Sequence, residues 1–153
     1  MADITTQLTK VFDAIPQYAI QIGVFSTKTK RKTTYSVGIT NAELMFIHEN
    51  GSPLHHLPAR PVLKMTIQYG NTLIKSVMQK ALKAYVEVGE QGLEKELNKL
   101  CIKMENYARE IIYSNDGRLA PNAPSVAARK KGNHPLFDTG QLARSITCKL
   151  VRV

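Results

Sequence analysis

The stretch "LEKELNKLCIKMENYAREII", Leu93 to Ile112, decides the fold. Leu93, Leu97, Leu100, Cys101, Met104, Ala108 and Ile111 recur at the 3.6-residue period, with Lys, Glu and Asn between them. That pattern predicts a long amphipathic helix with one buried stripe. A second helical pattern precedes it, from about Pro61 to about Tyr85, carrying Ile67, Ile74, Val77, Met78, Ala81, Leu82 and Tyr85. Gly70 weakens that helix locally. "VGEQG" (Val88 to Gly92) separates the two helices, and "SNDG" (Ser114 to Gly117) ends the second.

Outward from this pair the pattern changes. Ile4, Leu8, Val11, Phe12 and Ile15 predict a short N-terminal helix stopped by Pro16, so residues 1–17 form an N-terminal element. "YAIQIGVFS" (Tyr18 to Ser26) alternates and is rich in β-formers, as is "TCKLVRV" at the C-terminus; both read as strands. "TTYSVGI" (Thr33 to Ile39) reads as a returning strand after a basic arm. Asn41 is an expected N-cap for a short helix, Ala42 to Glu49, ended by Asn50-Gly51. The expected architecture is α+β: one domain over residues 1–153, a small antiparallel sheet packed against two long helices, with long extended loops.

The chain has 153 residues, enough for one domain with a real core. Its 21 Lys and Arg stand against 12 Asp and Glu, giving a net charge of +9. Such a balance favours an acidic partner: nucleic acid, a membrane surface or an acidic protein face. The charge is uneven. "STKTKRKTTY" carries Lys28, Lys30, Arg31 and Lys32 without an acid, and "ARKKG" carries Arg129, Lys130 and Lys131. These seven are the candidate contacts to DNA or to an acidic partner. Cys101 and Cys148 do not make a disulfide framework, and a reducing compartment is the simplest reading. "MADITTQLTK" lacks the basic and apolar regions of a signal peptide. No apolar run approaches the roughly 20 residues of a membrane span. The expectation is a soluble protein made inside a cell.

Two stretches invite a catalytic or metal reading. "HENGSPLHHLPARPVL" (His48 to Leu63) gathers His48, His55 and His56 with Glu49. Zinc needs three or four converging ligands, but His48 and Glu49 are neighbours that point to different sides of a helix, and no cysteine is near. "KGNHPLFDTGQLARSI" (Lys131 to Ile146) contains the Asp-Thr-Gly of an aspartic protease. Only 13 residues follow Gly140, which leaves no room for the strands such a site needs. Asp138 or Thr139 reads instead as a helix cap, with Gly140 allowing close backbone approach. No phosphate-cradling loop or Ser-His-Asp spacing occurs. The residues point to no enzyme, no metal and no cofactor.

Taken in order, "FIHENG" (Phe46 to Gly51), "LPARPVL" (Leu57 to Leu63), two long helices and "KGNHPLFDTGQLARSI" form a series that resembles a known family. It is the head–tail joining and virion morphogenesis family of long-tailed phages, the small neck or tail-completion proteins. The resemblance covers roughly residues 20–153. It implies a structural corner at Gly51, Pro58, Arg60 and Pro61, and a turn at Asp138, Thr139 and Gly140 before a short helix that buries Leu142 and Ile146. Arg60 would pair with a carboxylate or a helix C-terminus, and Ser145 would cap or face outward. It implies no catalytic residues. It implies a virion protein of the neck or tail top, made in the host cytoplasm and assembled with itself as a ring, a hexamer or dodecamer, around the DNA channel. The partners implied are connector or head-completion proteins and tail-terminator or tail-tube proteins, with non-specific contact to packaged DNA and no membrane. The loop from Leu119 to His134 is the first candidate interface. The reading from a different class is a basic nucleic-acid-binding module, which predicts salt-sensitive binding to duplex DNA.

Overall fold

The computed structural model describes residues 4–25, 30, 38–130 and 132–153. Lys28, Arg31, Lys32 and Lys131, and most of the returning strand expected at Thr33 to Ile39, lie outside the described residues. The elements run α1 (Ile4–Ala14), β1 (Tyr18–Val24), α2 (Asn41–Asn50), α3 (Val62–Tyr69), α4 (Asn71–Val88), α5 (Glu90–Ser114), α6 (Pro124–Ala127), α7 (Gln141–Ser145) and β2 (Ile146–Arg152). β1 and β2 pair antiparallel, in register from Tyr18 opposite Arg152 to Val24 opposite Ile146. This two-stranded sheet packs on α5, and α4 packs along α5. The fold is α+β.

α5 is the spine, and its stripe is buried from end to end. Near its start, Leu93 and Leu97 meet Ala81 of α4 and Ala14 of α1. In the middle, Leu100 and Met104 meet Val77, with Ile20, Ile22 and Cys148 of the sheet laid against them. Toward its end, Ala108, Ile111 and Ile112 meet Met45, Val62, Leu142, Ala143 and Ile146. Each fully buried Leu or Ile contributes about 1.5–3 kcal/mol of apolar transfer. The sheet is also tied to the first turn of α5: the Tyr18 hydroxyl lies 2.7 Å from carboxylates of both Glu90 and Glu94, and Arg152 pairs with Glu90. Burial and those two acids raise the Tyr18 pKa, so the phenol stays protonated and can donate.

Several expectations from the sequence need correction. The helix expected from Pro61 to Tyr85 is two helices divided at Gly70. Met104 of α5 presses its Sδ against that glycine, where a Cβ would lie 2.9 Å away. Ile67 is exposed, while Thr66 is buried and donates its hydroxyl to the Val62 carbonyl at 2.7 Å. The cap of α2 is Thr40, not Asn41: its Oγ1 accepts from the Glu43 N–H at 3.2 Å, and its own N–H donates to Glu43 Oε2 at 2.8 Å. This is a reciprocal capping box, which satisfies two orphan donors at once. Phe12 is 70% exposed, while Val11 and Ala14 are buried on α1. Within the loop expected after Leu119, Pro124–Ala127 closes into the short helix α6.

Candidate functional site

"HENGSPLHHLPARP" forms a corner. Gly51 ends α2 with φ 74° and ψ −179°, a conformation almost confined to glycine, and its N–H donates to the Ile47 carbonyl at 2.8 Å. A Cβ there would lie 2.8 Å from the Ala59 nitrogen and 2.9 Å from the Leu57 carbonyl oxygen. Ser52 and Leu57 exchange backbone hydrogen bonds, both 2.9 Å, which closes a turn with exposed Leu54, His55 and His56 at its tip. Glu49 reaches forward: its two carboxylate oxygens accept from the N–H groups of Leu63 (3.0 Å) and Lys64 (2.8 Å), at the start of α3. A carboxylate there satisfies orphan donors and complements the helix dipole. Pro58 is exposed on the same corner, and Pro61 sits immediately before α3.

Arg60 is the centre of the corner. Only 4% exposed, it donates from Nε to the Ala120 carbonyl and from Nη2 to the Pro121 carbonyl, both at 2.7 Å. Its partners are thus loop carbonyls rather than the expected carboxylate or helix C-terminus. The loop after α5 turns its backbone inward here, and a planar guanidinium can hold two neighbouring carbonyls at once. Burial pushes the Arg60 pKa down from its ordinary value.

The Asp-Thr-Gly stretch comes to the same place. Asp138, Thr139 and Gly140 face His48, Pro58 and Arg60 across a cleft of about 390 Å³. Gly140, at φ 73°, precedes α7. Neither Asp138 nor Thr139 caps that helix through its side chain, contrary to expectation, because the left-handed Gly140 itself takes the cap position. The Thr139 carbonyl accepts from Arg144 Nη2 at 2.8 Å, and Thr139 Oγ1 accepts from Gln141 Nε2 at 3.0 Å. Leu142 and Ile146 are buried as expected. Ser145 is buried too, donating its hydroxyl to the Leu142 carbonyl at 2.7 Å instead of facing outward. Arg109 of α5 completes the anchoring of this segment, donating to the Ala143 and Ile146 carbonyls at 3.3 and 3.0 Å while paired with Glu105 at 2.5 Å.

Among the described residues, no three His, Cys, Asp or Glu side chains gather as a metal-ligand set, and no helix is long and apolar enough to cross a membrane. Of the candidate polyanion contacts within the described residues, Lys30 and Arg129 are exposed. Lys130 instead bends back and donates to the Phe137 carbonyl at 3.1 Å, closing the loop before Asp138.

A basic feature that the sequence reading missed lies between α4 and α5. Lys80, Lys83, Lys99 and Lys103 line one groove of about 450 Å³, with Glu87 and Glu96 among them. Lys99 pairs with Glu96, whose carboxyl is held below its usual range by that bond. The i, i+3 spacing of Lys80 and Lys83 and the i, i+4 spacing of Lys99 and Lys103 were the available signal; neither pair makes a charge run.

Comparison of the chain with protein-family models, with curated proteins and with solved structures finds no match.

Proposed function

We propose that this protein is a non-enzymatic virion component of a long-tailed phage, acting at the head–tail joint as a neck or tail-completion subunit. The observation that supports this reading is the meeting of the two motif stretches that carry the family resemblance. They come from distant parts of the chain and line one cleft, beside which Arg60 holds the Ala120 and Pro121 carbonyls of the loop between them. In that corner the polar groups of Glu49, Arg60 and Lys130 are turned onto the protein's own backbone. That arrangement supports the reading of a structural joint. A hydrolytic site would instead aim such groups at an open position where a substrate sits.

The surface suits assembly. Phe12 and Phe46 are each 70% exposed and Leu54 is 85% exposed. Phe12 belongs to α1, beside the start of α5, whereas Phe46 belongs to α2, beside its end. Leu93 and Ile111 mark those two ends of the spine, roughly 27 Å apart at 1.5 Å per residue. Apolar surface at opposite ends suits a heterologous contact, the kind that closes into rings. Native mass spectrometry and negative-stain microscopy of the purified chain test this. A closed ring supports the reading, and a monomer at every concentration up to the micromolar range, alone and with its tail partners, argues against it.

The lysine groove between α4 and α5 favours a second reading, a module that binds duplex DNA through phosphates. On that reading, changing Lys80, Lys83, Lys99 and Lys103 together to Gln lowers the slope of log K against log salt by roughly 3–4. No measurable DNA binding by the intact chain at low salt removes this reading.

A further inference from the structure

The two cysteines come from distant parts of the chain and share one site. Cys101 is buried on α5, between Leu100 and Ile102. Cys148 lies in the middle of β2, opposite Ile22, and packs against Leu100 and Met104 of that same helical turn. Its backbone N–H donates to Glu105 Oε2 at 3.0 Å, and Glu105 stands one helical turn beyond Cys101. Arg109 holds the Glu105 carboxylate at 2.5 Å while bonding the Ile146 carbonyl, so the start of β2 is fixed on α5. Cys148 thus rests on the turn of α5 that carries Cys101, close enough for each thiol to perturb the ionisation of the other.

We propose that Cys101 and Cys148 are a disulfide site, closing an internal bond between α5 and β2 in an oxidising environment and standing open in a reducing one. A disulfide needs Cα atoms about 4.4–6.8 Å apart and side chains that converge. With Cys148 packed on the turn of α5 that carries Cys101, the two side chains come together without moving an element. The bond would join the spine of the fold to its last strand and close a long loop containing the Arg60-anchored segment. Long loops are where a cross-link restricts the unfolded chain most. This inference stands independently of the phage reading.

The step balances with a low-molecular-weight disulfide as oxidant. The half-buried Cys148 loses its proton to solvent and attacks one sulfur of the oxidant, releasing the first small thiolate. Cys101 then loses its proton and attacks the Cys148 sulfur of that mixed disulfide, releasing the second. The two cysteines give up two electrons and two protons; the oxidant becomes two small thiols. Burial, reinforced by the neighbouring Cys101 thiol, pushes Cys148 up to about 12, and burial raises Cys101 as well. Exchange should therefore be slow at neutral pH and quicken as pH rises.

The test uses the full wild-type chain, reduced, freed of reductant and incubated with oxidised glutathione at mildly alkaline pH. Thiols are then alkylated in denaturant and counted by intact mass, and the linkage is read from non-reduced peptides. The expected result is a monomer with both of its 2 cysteines protected, the mass of two hydrogens lost and one peptide pair linked through Cys101 and Cys148. Its melting temperature should rise by roughly 5–15 °C over the reduced form. Cys101→Ser should halt at a glutathione adduct on Cys148. A wild-type chain that keeps a stable glutathione adduct, links two copies through their cysteines or retains both thiols at equilibrium overturns the proposal.

Discussion

Changing Arg60 to Ala is the perturbation that bears most directly on the corner. The guanidinium is 4% exposed and donates to two loop carbonyls at 2.7 Å. A hydrogen bond to a charged group contributes about 1.5–3 kcal/mol net. Two of them, less the cost of holding a cation out of water, leave roughly 2–4 kcal/mol. Truncation also removes the packing of the side-chain stem and strands two carbonyls, adding about 1 kcal/mol. The expected loss is about 3–5 kcal/mol, a fall in melting temperature of roughly 8–15 °C for a domain of this size. Arg60→Lys should recover less than half, because an ammonium on a flexible stem cannot hold both carbonyls in the fork geometry. Urea unfolding followed by circular dichroism gives the free energy, and limited proteolysis of the segment after Leu119 shows whether that loop is released first. A loss below about 1 kcal/mol in Arg60→Ala, or a Lys variant equal to wild type, would refute the argument that Arg60 is the clamp.

Other consequences follow from the same geometry. Gly51→Ala should cost about 2–4 kcal/mol, since φ 74° with ψ −179° is strained for alanine and its Cβ would meet Ala59 and Leu57 backbone; chemical denaturation measures it. Glu49→Gln should cost roughly 1 kcal/mol by weakening the two bonds at the start of α3, and Glu49→Ala about 2 kcal/mol, both readable as shifts in urea midpoint. Arg118 holds the Asp116 carboxyl down from 3.8 to about 2. A depressed carboxyl stabilises the fold above its unfolded pKa, and that stabilisation is lost as pH falls through its folded value. The gap in melting temperature between wild type and Asp116→Asn should therefore be full above about pH 5 and close by about pH 2; a gap that does not change with pH would contradict the pairing.

The spine was legible because seven apolar residues of α5 repeat at one period, and nothing else in the chain competes with that stripe. The terminal strands were legible from alternation, although which strand pairs with which is a long-range fact that alternation does not carry. The capping box of α2 was written in "TNAE", Thr40 to Glu43, but Asn41 is itself a good cap and drew the reading one residue too far. The partners of Arg60 were not legible: every residue has a carbonyl, and only the folded loop presents two of them to one guanidinium. The close approach of Met104 to Gly70 comes from another helix and is likewise a long-range fact. The lysine groove was hidden for a related reason, since it is assembled from two helices, one with its lysines widely spaced and the other with acids set among them. The cysteine pair likewise exists only once β2 lies on α5.

The central claim is that this chain joins heads to tails, and electron microscopy of particles made when its gene is silenced tests it most directly. The account predicts DNA-filled heads beside unattached tails. Intact, infectious virions formed without the protein would contradict it.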